Sequence, residues 1–214
     1  MILRLLTLAM VLIAGTSAEV VDRVAVVVGK DVITESEIFR QIRLTAFQNK
    51  EKPDFSLENK RNVAEKLVEQ SLIRREIESN RYVLGEVPDL DKMLADFKAE
   101  RFKSDEEYRA ALKEYEITED ELKAQMKWQL TLVPFIDIRF RPAVQLSSQD
   151  VKDYYERELL PKFSSLTEKP PTLEEATPSI ESILTAERAD HALDRWLGQM
   201  RTQTRIRFYA EVFR

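Results

Sequence analysis

The sequence predicts a mainly α protein: an irregular multi-helix core with a small β-sheet formed by an N-terminal hairpin and the C-terminal strand. Three observations predict it. Glycine is rare, at 4 of 214 residues, while 33% of residues are charged and apolar residues are spaced among them, a composition suited to long amphipathic helices. Thr34, Ser104, Thr118, Ser147 and Thr172 each stand three residues ahead of Glu or Asp, the signature of a helix N-terminus in which hydroxyl and carboxylate satisfy each other's free backbone donors. The chain ends, finally, are the parts that read as strand.

"MILRLLTLAMVLIAGTSAEV" places Arg4 before an apolar run from Leu5 to Gly15, with small residues Thr16 and Ala18 preceding Glu19. Residues 1–18 therefore read as a cleaved secretory signal. The apolar run is shorter than the roughly 20 residues a spanning helix needs, so no membrane span is expected after cleavage. Val24 to Val28 is a β-branched run, Gly29 supplies a turn, and Val32-Ile33 returns the chain, which together predict a hairpin. A helix from Thr34 should reach about Gln48. Ser56 can cap a helix whose apolar positions Leu57, Val63, Ala64, Leu67, Val68, Leu72, Ile73 and Ile77 recur at three and four residues and which ends near Asn80.

Helices should follow Ser104 and Thr118. The second meets Pro134, where a lost amide bond predicts a kink, with Phe135, Ile136, Ile138 and Phe140 beyond it. A short helix after Ser148 carries Val151, Tyr154 and Tyr155 and stops before Pro161. Past Thr172 a long helix turns Ile180, Ile183, Leu184, Leu193, Trp196, Leu197 and Met200 toward a core. "TRIRFYAEVF" then alternates, with Ile206, Phe208, Ala210 and Val212 on one face. A lone strand leaves its backbone groups unpaired, so this strand should join the N-terminal hairpin in one sheet.

Composition narrows the chemistry. Cleavage would remove one base, Arg4, from a formal charge of −5, leaving −6, a balance opposite to that of nucleic-acid binders. The absence of Cys rules out a lipid-anchored lipoprotein and a disulfide framework. The sequence contains neither a glycine-rich phosphate loop nor a nucleophile elbow, so no cofactor, ATP-driven step or catalytic residue is expected. The lone histidine, His191, has Glu187, Asp194 and Arg195 within one helical turn. Two carboxylates and one imidazole make a weak metal shell, and a solvated helix face is the expected role. Trp196 should pack in the core. Tyr108, Tyr115 and Phe135 sit near helix ends or the expected kink; core packing is their first expectation and contact with a bound polypeptide their second.

The words "VDRVAVVVGKDVITESEI", "LVEQSLIRREIESN", "SDEEYRAAL", "TEDELKAQM", "QDVKDYYEREL" and "ILTAERADHALDRWLGQMRTQTRI", in this order behind a signal, resemble the SurA-type periplasmic chaperones and the wider group of secreted parvulin-type prolyl isomerases. The resemblance spans residues 19–214, with 19–160 and 173–214 corresponding to the two parts of the chaperone core. In such relatives a parvulin domain stands between those parts. Here residues 161–172 form only a linker, far short of the roughly 100 residues a typical domain needs. The resemblance therefore implies a periplasmic, ATP-independent holdase for unfolded or extended polypeptides, above all outer-membrane protein precursors, without isomerase activity. A prolyl isomerase and a non-catalytic interaction subunit of an envelope assembly remain the alternatives. The short linker also allows a domain-swapped homodimer.

Overall fold

The computed structural model describes residues 22–85, 89–163 and 169–214. The expected signal, residues 1–18, and the centre of the expected linker, 164–168, lie outside them. The protein is mainly α with a small antiparallel sheet. Strand β1 (Val24–Val28) turns at Gly29 into β2 (Asp31–Thr34), and β3 (Ile206–Phe208) pairs with the other edge of β1, giving the order β2-β1-β3. The two ends of the described chain thus meet, with Val26 opposite Phe208 and Val28 opposite Ile206. Gly29 and Tyr209 extend that ladder, donating to the carbonyls of Arg205 and Ala25 at 2.9 Å each. Placing β1 in the middle buries Ala25, Val26 and Val28 completely.

Helices α1 (Glu35–Asn49) and α2 (Leu57–Asn80) begin at Thr34 and Ser56, whose hydroxyls accept from the amides of Glu37 and Asn59. At 1.5 Å per residue α2 is about 36 Å long, and β1, β2, α1 and the C-terminal region all pack along it. Helix α3 (Leu90–Arg101) has no counterpart among the expected elements. Asp89 caps it by accepting from the amides of Asp91 and Lys92, while Leu90, Met93, Leu94 and Phe97 form its packed face. Helices α4 (Asp105–Glu114) and α5 (Glu119–Arg139) start at Ser104 and Thr118 as their spacing predicts. Pro134 does not end α5, which continues for five residues beyond it to Arg139. Phe135 and Phe140, buried against the main core on the far side of the proline, hold that last turn in place.

The next segment corrects an expectation. Helix α6 (Ser148–Tyr154) does not stop before Pro161; it passes through a π turn (Tyr155–Leu159) into a final turn, α7 (Leu160–Phe163). In a regular helix the proline ring would collide with the carbonyl four residues back. The wider turn, in which the Leu160 amide reaches back to the Tyr155 carbonyl, accommodates it. Helix α8 (Leu173–Gln203) then runs back to the sheet. Ile183 is 40% exposed and does not join the core: it lies about 60° round the helix from buried Ile180, beyond the face that the short α6 covers.

Nor does the terminal alternation run its predicted length. After Phe208 the chain enters a 3-10 turn (Ala210–Phe213), which exposes Ala210 and buries Val212. Among the described residues three clusters hold the fold together. The largest joins the sheet to α1, α2, α5 and α8. The second gathers the end of α1 with α3, α4 and the start of α5 around Phe47. The third links α6 to the start of α8. Among the described residues no helix is long and apolar enough to cross a membrane.

Candidate functional site

At the margin of the main core, α2 carries half-buried Leu67, Gln70 and Ile77 and exposed Arg74 at helical spacing. On one side rises the hairpin, on the other α5. Between them lie three adjoining hollows of about 400, 190 and 300 Å³, all sharing Arg74 as a wall. They form an open trough from the hairpin turn, across α2, to Trp128 on α5. From Leu67 to Glu78 it covers roughly 16 Å of helix axis, the span of about five residues of extended chain.

Arg74 is the centre of this trough. Its guanidinium lies 4.4 Å from the centroid of the Trp128 indole, a cation–π stack. It forms neither a hydrogen bond nor an ion pair with the described residues, so its donors face the trough. Its neighbour Arg75 is committed to structure, donating to the Val28 carbonyl at 2.7 Å and to the Asp31 carboxylate at 2.9 Å. Partial burial pushes the Asp31 carboxyl upward, but hydrogen bonds from Arg75 and Ser71 and the charges of Arg75 and Lys30 outweigh it, so Asp31 titrates below the usual carboxylate range. Arg40 and Glu121 pair at 2.8 Å between α1 and α5 and close the middle of the trough.

The lining is amphipathic. Val32, 48% exposed on the edge strand β2, Leu67, Ile77 and the rim of Trp128 offer apolar contact, while Lys30, Arg74 and Glu78 offer charge of both signs. Such a surface can hold a peptide by many small contacts. Among the described residues, no group of three or more His, Asp or Glu side chains converges as a metal shell.

The aromatic residues named from the sequence lie elsewhere. Tyr108, 1% exposed, is enclosed by Phe102 and Phe47 in the second cluster, with Lys98 Nζ 4.3 Å above its ring. Phe135 is fully buried between Tyr82, Phe140 and Trp196. Both rings are committed to the interior, so neither can meet a bound polypeptide without opening a core. Tyr115 is half-buried; its ring packs edge-on against Phe47 and its hydroxyl donates to the Glu51 carbonyl at 2.9 Å. Trp196 packs in the main core as its stripe predicts. None of these rings lines the trough, whose aromatic wall is Trp128 on α5. No sequence signal marks Arg74 as different from the other exposed arginines, because its partner on α5 is chosen by tertiary packing. No protein-family profile and no curated protein matches the chain.

Proposed function

We propose that the protein is a periplasmic, ATP-independent holdase that retains extended segments of unfolded exported polypeptides, outer-membrane barrel precursors among them. The observation that carries this reading is the open, amphipathic trough centred on Arg74. Its length suits a short extended segment, and its mixture of apolar surface and unspent donors suits many sequences instead of one. Several such weak contacts along a chain give retention while permitting release. The signal-like leader and the order of helix-start words support an envelope location and a chaperone role. The expected segment 161–172 leaves no room for an inserted isomerase domain, which supports a non-catalytic protein.

The test is refolding of an urea-unfolded outer-membrane barrel protein with and without the chain. Stoichiometric amounts should suppress aggregation, and Arg74→Ala should weaken the suppression while lowering the unfolding midpoint only slightly, by the loss of one exposed cation–π contact. Absence of suppression by the parent chain would sink the proposal. A protease-coupled assay on a proline peptide separates the isomerase alternative: acceleration above background favours it. Co-purification of one stoichiometric partner would instead favour an interaction subunit.

A further inference from the structure

A separate hollow, of about 350 Å³, lies where α8 faces the turn after α5. Its apolar floor is Phe140, Val144 and Ala192, and its rim is Arg188, His191 and Arg195. The four α8 residues fall at i, i+3, i+4 and i+7, one stripe of a helix. Ala192 sits in the middle of that stripe, and its short side chain is what leaves the space. The floor is well made: Phe140 is buried, tilted against Trp196 at 6.0 Å between ring centroids and beneath Arg139 at 5.2 Å.

The charges on the rim are unequal. Arg188 is spent on structure, donating to the Gln145 carbonyl and, at 2.5 Å, to Asp150, which neutralises it. Arg195 and His191 are exposed and have neither a hydrogen bond nor an ion pair with any described residue. Among the described residues no carboxylate lines the hollow; Glu187, Asp190 and Asp194 occupy the adjoining flank of α8. In a chain of formal charge −5, an acid-free apolar hollow with an unpaired guanidinium at its mouth departs from the surrounding surface. An apolar body with one carboxylate satisfies every part of it: the body covers Phe140, Val144 and Ala192, and the carboxylate accepts from Arg195, with His191 beside it.

We infer that this hollow is a binding site for a small apolar carboxylate, distinct from the Arg74 trough and independent of the function proposed for it. Its volume is at the small end of ligand cavities, roughly 300–1,000 Å³, which suits a single ring or branched aliphatic group and excludes a long acyl chain. That chemistry exists both in a free aryl or branched-chain acid and in the C-terminal residue of a polypeptide.

The test uses the full chain and four probes: 3-phenylpropanoate, 3-phenylpropanamide, and a short peptide ending in Phe as free acid or as C-terminal amide. Binding is followed by amide chemical-shift changes at residues 140–145 and 188–195. The expected result is saturable binding of 3-phenylpropanoate, with the amide and the Arg195→Gln variant each weaker by roughly tenfold or more. Ala192→Leu fills the hollow and should abolish binding. Arg195 is exposed, so Arg195→Gln tests the site even if Ala192→Leu disturbs the fold. A free-acid peptide that binds as well as phenylpropanoate identifies a chain terminus as the source; a peptide that is excluded while phenylpropanoate binds identifies a small metabolite. Equal binding of acid and amide, indifference to Arg195→Gln, or no saturation at millimolar probe overturns the inference.

Discussion

Gly29 turns the hairpin at φ +62°, and a Cβ placed there would lie 2.8 Å from both terminal nitrogens of Arg75. Left-handed backbone and a displaced guanidinium act together, and that guanidinium holds both the Val28 carbonyl and Asp31. Gly29→Ala should therefore cost about 2 kcal/mol, measured by urea unfolding; a change below ~0.5 kcal/mol would show that Arg75 finds an equivalent position. Tyr108 tests the interior of the second cluster. Its hydroxyl has no partner of ordinary hydrogen-bond geometry, and burial, followed by the nearby Glu119 charge, raises its pKa well above the usual phenol range. A raised folded pKa means that stability is fully present below the unfolded value, about 10, and falls as pH rises beyond it. An absorbance titration should show a late-ionising tyrosine that Tyr108→Phe removes, and that substitution should leave stability at neutral pH equal or higher by about 1 kcal/mol. An early, ordinary titration of every tyrosine would contradict the enclosure of this ring.

The helix starts carry the acid sensitivity of the fold. Hydrogen bonds from Ser147, side chain and then backbone, lower the Asp150 carboxyl despite slight desolvation, with Arg188 adding to the effect. The Thr172 amide and then its hydroxyl do the same for Glu175, and Lys98 leads the lowering of Glu119. Depressed folded values stabilise above the unfolded carboxylate pKa, about 4, and that contribution is lost as pH falls through the folded values. Helical circular dichroism should therefore hold above about pH 5 and decline below about pH 4; an unchanged melting temperature at pH 3 would show that these caps contribute nothing. These starts were legible because a capping box is written within four consecutive residues. Helix α3 was not, since Asp89 caps it without the hydroxyl-and-acid spacing of α1, α4, α5, α6 and α8 and without the long apolar periodicity that reveals α2. The passage of α6 through Pro161 was hidden for a related reason: a π turn is a local adjustment with no sequence signature of its own. Alternation at 205–212 predicted a longer strand than β3 because period two and the end of a strand look alike until the chain meets the core.

At the scale of the whole molecule, α8 is fastened to α2 by Arg201, whose guanidinium donates to Glu65 at 2.7 Å and Glu69 at 3.1 Å. Burial works against this cation, but the two carboxylates outweigh it and raise its pKa. The three side chains are about one-third exposed, so solvent discounts the attraction, and Arg201→Ala should cost only about 1 kcal/mol. Differential scanning calorimetry in low and high salt checks this: the wild-type advantage should shrink with salt. The closure of the sheet by the terminal segment was legible because an unpaired strand must find a partner and only one was on offer. The Arg74 trough was not, being assembled from β2, α2 and α5, elements that meet only once the chain has folded. β1 and β3 are separated by almost the entire described length, so the central strand acquires its second neighbour last. Until Ile206–Phe208 docks, the edge of β1 opposite β2 presents unpaired amides and carbonyls, so a species lacking that segment offers an open strand edge to other chains.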